Sequence, residues 1–141
     1  MTVETYSGFF QKYNVFIGII VCVLLASISL TILPFGFLFL GDIYIGLGCF
    51  FGLYITFKYK KESQSHIKTG LIVGLTGSVL SLILSSFLFT LVYGAEYIGL
   101  WFGVIFFNSG IIFVFIGLIM GYVFGYYYRM KEQEQTKSPL Y

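Results

Sequence analysis

Few residues of this 141-residue chain carry chemistry, and they lie far apart. Glu96 is the only charged residue between positions 69 and 128, and Asp42 is the only one between 13 and 57. A carboxylate held at depth in a bilayer is costly and marks an ion or proton path. Both acids fall near turns, however, Glu96 beside Tyr93, Gly94 and Tyr97. Each therefore reads first as a carboxylate hydrated at the headgroup level. If the two turns lie side by side, Asp42 and Glu96 share an acidic mouth on one external face, the sole cation-handling site the sequence offers.

The other reactive types offer less. Cys22 and Cys49 stand at like distances on either side of the 34–36 turn, so the two thiols reach similar depth and face each other if their segments pair. Buried cysteine behaves as a small apolar residue. Two thiols without further ligands make no ordinary metal site. His66, the single histidine, sits in a polar stretch with no Cys or acid at ligand spacing and reads as a solvated loop residue. Asn108, within Asn108-Ser109-Gly110, suits a hydrogen bond to a neighbouring helix. No Gly-rich phosphate loop, nucleophile–base set or carboxylate pair is present, so no catalytic residue, cofactor or metal is expected, and the chain does not read as an enzyme.

The elements that hold these residues follow from hydropathy. The chain is 58% hydrophobic and 10% charged, far below the roughly 25% charge of a soluble domain. Its mean hydropathy is +0.93. A crossing needs about 20 apolar residues, which predicts an all-α polytopic membrane protein with spans near 15–33, 40–57, 69–93 and 103–128. Residues 1–14 and 129–141 flank them, the tail charged and containing Pro139. The first span is longer than a signal-peptide core and lacks a basic leader, so it is expected to stay as a helix despite the weak site at Ala26–Ser29.

Orientation comes from the basic residues. Lys12, then Lys58, Lys60, Lys61 and Lys68, then Arg129, Lys131 and Lys137 all fall on one side of the four-span pattern. The positive-inside rule then puts both termini in the cytoplasm of a cell-membrane protein and Asp42 and Glu96 outside. Tyr59 and Tyr126, Tyr127 and Tyr128 mark the inner interface, and Tyr93, Tyr97 and Trp101 the outer one. The segment 95–107 reads as an interfacial helical turn or a re-entrant piece. No basic cluster is large enough to drive nucleic-acid binding.

Glycine supplies the packing signal. Gly48 and Gly52 with Thr56, Gly70 and Gly74 with Ser78, and Gly117, Gly121 and Gly125 form stripes of small residues four apart. Gly77, Ser81 and Ser85 add a second ridge. Such stripes let helix backbones approach closely, either within one bundle or across a homodimer contact. They also repeat. Gly48, Gly52, Thr56 and Lys60 match Gly117, Gly121, Gly125 and Arg129, while Lys12, Gly18 and Cys22 match Lys68, Gly74 and Ser78. Two hairpins entering from the same side form a parallel repeat about an axis along the membrane normal.

The stretch 46–78 combines a Gly-rich helix, a short polar loop with His66, and the run from Gly70 through Gly74 and Gly77 to Ser78. Over about half the chain it resembles a family of small archaeal four-helix integral membrane proteins of unknown function. That resemblance implies the four-helix fold and carries no residue roles. The expected function is that of a non-enzymatic multi-pass protein acting through helix packing, as a self-associating or accessory subunit whose partners are the bilayer and a second copy or another membrane protein. The alternative is a minimal dimeric channel or transporter for a small ion or solute. The chain is similar to small multidrug transporters and fluoride channels in size and span number. It lacks the buried Glu of the former in its first span and the recognisable pore motifs of the latter.

Overall fold

A computed structural model of the chain describes residues 9–32, 37–60, 64–97, 99 and 110–137. Helix α1 spans Asn14–Ile32, α2 Phe37–Lys58, α3 His66–Tyr93 and α4 Gly110–Lys137, with a 3-10 turn at Ala95–Tyr97 between the last two. The fold is all-helical, with no strand among the described residues. Helices α3 and α4 are each long and apolar enough to cross a membrane.

The helices pack as two antiparallel pairs, α1 along α2 and α3 along α4. The pairs join through α1 against α3 and α2 against α4, while α2 touches α3 across the centre. Cys22 lies against Gly77, and the Ser27 hydroxyl donates to the Ser81 carbonyl at 3.2 Å, so α1 and α3 run in the same direction. Phe50 meets Phe124 and Phe57 meets Tyr128, so α2 and α4 also run parallel.

Residue size is distributed from the inside outwards. The buried interior is built mainly from Cys22, Ala26, Ser27, Cys49, Thr56, Ser78, Ser81 and Ser85, with a few larger residues such as Ile45, Leu53 and Phe113. The outer faces carry Phe16, Ile20 and Leu24 on α1, and Leu47, Phe51 and Tyr54 on α2. They carry Ile72, Ile83 and Phe87 on α3, and Ile111, Phe115 and Ile119 on α4. A water-soluble bundle buries its large apolar side chains, because that burial is what stabilises it.

Close approach explains the small interior. A Cβ placed on Gly70 or Gly74 would run into the carbonyl oxygens of Gly121 and Gly117 respectively, and Cβ atoms on those two would strike back at Gly70 and Gly74. At the other pair, a Cβ on Gly52 would lie 2.5 Å from the Gly18 carbonyl, and one on Gly48 would lie 2.8 Å from that of Cys22. The stripes on Gly48, Gly52, Gly70, Gly74, Gly117, Gly121 and Gly125 are thus occupied inside the chain. The second ridge is used as well: a Cβ on Gly77 would come within 2.6 Å of the Cys22 sulfur.

Two boundaries differ from the hydropathy reading. Helix α3 starts at His66, inside the stretch read as a polar loop, and α4 continues through the charged segment to Lys137. Apolar windows locate the membrane part of a helix and miss a solvated extension whose side chains are polar on all sides. Helix α3 ends at Gly94, whose φ of 99° lies in the left-handed region and whose N–H donates to the Thr90 carbonyl at 3.0 Å. Most of 95–107, with Trp101, lies outside the described residues, as do Pro34 and Asn108.

Packing at the α3–α4 seam has a direct test. Gly121→Leu forces the two backbones apart and should lower stability in detergent by about 3 kcal/mol. Gly46, with nothing near a prospective Cβ, should tolerate Ala and gain up to about 1 kcal/mol of helix propensity. Equal melting temperatures for the two variants would remove the seam from the account.

Candidate functional site

Polar groups gather in four clusters, three along the interior and one at an open end. At the end where α1 begins, Asn14 is fully buried. Its amide donates to the Thr56 carbonyl at 3.2 Å and to Gln64 Oε1 at 2.9 Å, and Gln64 Nε2 returns a bond to Asn14 Oδ1 at 3.3 Å. This reciprocal amide pair ties the start of α1 to the last turn of α2 and to the residue that leads into α3. The Thr56 hydroxyl donates to the Gly52 carbonyl at 2.8 Å.

Further in, the Cys22 and Cys49 sulfurs are 3.3 Å apart and fully buried, so the thiols do face each other. Both are free thiols. The helices crowd them, Gly48 and Gly52 from α2 and Gly77 from α3, and the pair fills the space that larger residues would otherwise hold open. No group of three or more metal-ligating side chains occurs among the described residues.

Serines line the remaining interior of α3. Ser81 donates to the Gly77 carbonyl at 2.6 Å, Ser85 to Leu82 at 3.0 Å, Ser86 to Leu82 at 2.8 Å and Ser78 to Leu75 at 3.0 Å. A hydroxyl satisfied by its own helix three or four residues back can be buried without another partner. These serines therefore serve as small residues with an internal hydrogen bond.

The fourth cluster is open to the outside. The ends of α2, α3 and α4 enclose a cleft of about 250 Å³. Phe57 stacks on Tyr128 with ring centroids 4.8 Å apart, and on His66 at 6.2 Å, so three parallel rings floor it. Lys60 lines it from the end of α2, and Lys131, Glu132 and Gln135 from the solvated extension of α4. His66 Nε2 lies 3.0 Å from Glu132 Oε2, and 13% of the His66 side chain is exposed. His66 is thus not the solvated loop residue that its local sequence suggests. The partner that corrects this reading is 66 positions away (132 minus 66) on a segment without an apolar pattern. Burial pushes the His66 imidazole below its ordinary range; Lys60 lowers it further, Glu132 opposes, and Arg129 adds to the lowering.

The sequence-derived acidic pair is only half visible. Glu96 is exposed in the 3-10 turn. Asp42 belongs to α2, but its side chain lies outside the described residues, and with it the contact the acidic mouth requires.

No protein family, curated protein or solved structure matches the chain.

The His66 shift fixes the sign of a pH effect. A histidine with a lowered folded-state pKa binds its proton more readily when unfolded. Its contribution to stability is present above the unfolded value of 6.5 and is lost as pH falls through the lower folded value. The melting temperature in detergent should therefore drop as pH falls below about 6.5. His66→Gln should flatten that part of the profile. An unchanged slope in the variant would show that other groups govern it.

Proposed function

We propose that the chain is a four-span integral membrane protein of the cell membrane, with both termini in the cytoplasm, that acts without catalysis as an accessory or self-associating subunit. The observation that carries this reading is the size distribution: on all four helices many large apolar side chains face outwards, while small residues (Gly, Ala, Ser, Thr and Cys) make up much of an interior that also holds Ile45, Leu53, Phe57, Val73, Leu82 and Phe113. In lipid such an exterior costs nothing, and close contact between small residues becomes the main source of helix association. A sheath of exposed Phe, Ile, Leu and Val on four sides would aggregate in water.

The placement of charge supports the orientation. Lys12, Lys58, Lys60, Lys68, Arg129 and Lys131 belong to the end of the bundle where α1 and α3 begin and α2 and α4 finish. Lys12 lies 5.2 Å from the Tyr13 ring centroid and Lys58 5.6 Å from that of Tyr59, as cationic and aromatic anchors at a membrane interface do. The parallel repeat has support too, since both hairpins join through matched glycines. Their registers differ by one turn: Gly48 sits against Cys22 and Ala26, whereas its match Gly117 sits against Gly74 and Ser78, the matches of Gly18 and Cys22. Because the stripes are occupied within the chain, a second copy or partner protein would have to dock on the large-residue faces.

Labelling tests the topology. Cys22 and Cys49 are fully buried, so an introduced cysteine should report alone. Ser63→Cys and Ser138→Cys should resist an impermeant maleimide in intact cells, and Glu96→Cys should react. Labelling at 138 from outside would reverse the orientation.

Flux tests the function. A coupled transporter ordinarily holds an ionisable group at depth, and among the described residues the polar interior consists of thiols, an amide and hydroxyls, most bonded to their own helix and Ser27 to the Ser81 carbonyl. Liposomes carrying the purified chain should show no flux of protons, monovalent cations or fluoride above protein-free liposomes. Robust flux abolished by Glu96→Gln would replace this reading with the minimal channel or transporter.

A further inference from the structure

The cleft at the basic end has the composition of a receptor for an oxyanion. Lys60 approaches from α2, and Lys131 and Gln135 stand one turn apart on α4. Tyr128 lines the same cleft as part of its aromatic floor. These groups offer two ammonium donors and an amide around a concave space. Among the described lining residues the one carboxylate, Glu132, accepts from His66. Burial disfavours a proton on His66 most, Lys60 and Arg129 add to that effect, and Glu132 opposes it. A volume of about 250 Å³ holds roughly eight waters at ~30 Å³ each, room for a phosphate ester and part of its hydration.

We propose that this cleft binds a phosphate group, either as the headgroup of an anionic phospholipid or as free phosphate. The lipid source rests on the membrane reading above, which sets the cleft at headgroup depth. Several separate contributions favour an anion. The solvated extension of α4 places Lys131 and Gln135 beyond the apolar region, where a headgroup lies. Convergence of Lys60 with them requires α2 to end beside α4, which the stacked Phe57 and Tyr128 rings enforce. Phosphate oxygens accept charge-assisted hydrogen bonds from ammonium groups, and basic pockets between membrane helices on the cytoplasmic side bind anionic headgroups.

The test uses the purified full-length chain in a neutral detergent at constant ionic strength. Dihexanoyl phosphatidylglycerol should bind saturably, and dihexanoyl phosphatidylcholine should bind much more weakly. Lys60→Gln with Lys131→Gln should weaken phosphatidylglycerol binding by about tenfold or more, from the loss of roughly 1 kcal/mol per basic residue. Lys12→Gln with Lys68→Gln removes the same charge outside the cleft and should leave affinity within about twofold. Glu132→Gln should tighten binding. Inorganic phosphate that displaces the lipid assigns the cleft to the phosphate group alone, and failure to displace assigns it to the lipid headgroup; both support the site. Equal binding of the two lipids overturns it, as does full affinity in the folded Lys60/Lys131 variant. Should that variant not fold, weaker or unchanged binding in Glu132→Gln overturns it instead. A chain that stays soluble without detergent refutes the membrane reading, and the inorganic phosphate titration then decides the cleft by itself.

Discussion

The fold depends on backbone-to-backbone contact between α3 and α4 at Gly70, Gly74, Gly117 and Gly121, with its counterpart at Gly18, Gly48 and Gly52. Lipid chains solvate a leucine as well as another leucine does, so apolar burial between helices gives almost no net stabilisation in a bilayer. What remains is dispersion between closely spaced atoms, and it weakens quickly with separation. Removing the Cβ at the seam brings carbonyls and Cα atoms of opposite helices into contact. Every other feature of the interior adjusts to that spacing. The thiol of Cys22 needs Gly77 opposite it, and serine is admitted where a leucine would wedge the helices apart.

The polar interior follows from the same constraint. Small residues that fit a narrow seam are Gly, Ala, Ser, Thr and Cys, and several of these carry a donor that must be satisfied. The carbonyls three and four residues back supply the acceptor for Ser78, Ser81, Ser85, Ser86 and Thr56. Asn14 is different, because its longer amide reaches other segments. It joins α1 to α2 and to Gln64, so it acts as a clasp where the seam alone would leave the helix ends to fray. Leaving such buried groups unpaired would cost about 1–3 kcal/mol each.

The parts legible in the sequence were those with a period. The helical elements followed from hydropathy, the seam from glycines four apart, and the facing thiols from their similar distance to the 34–36 turn. The basic-end cleft was not legible, for a physical reason. His66 meets Glu132 only once α3 lies antiparallel to α4, and only if α4 continues as helix past its apolar part. Neither condition leaves a mark in a hydropathy window. The nearest signal was the spacing of Tyr128, Lys131 and Gln135, which share one helical face, but that face is read only when the tail is taken as helix. Treating 129–141 as an appendage hid it.

This difference between seam and cleft separates two roles within one chain. The seam consumes the small residues and leaves no side chain there for chemistry, so the glycines hold the structure and cannot also recognise a ligand. In the proposed bilayer setting, charged groups are excluded from that depth by the cost of desolvation and gather at the helix ends. There the same parallel arrangement that aligns α2 with α4 also sets Lys60 opposite Lys131. On the proposed reading, recognition at the membrane surface would follow from how the glycines position the helix ends, and a change at Gly125, which packs against His66 and Ile67, would reach the cleft through the backbone of α3.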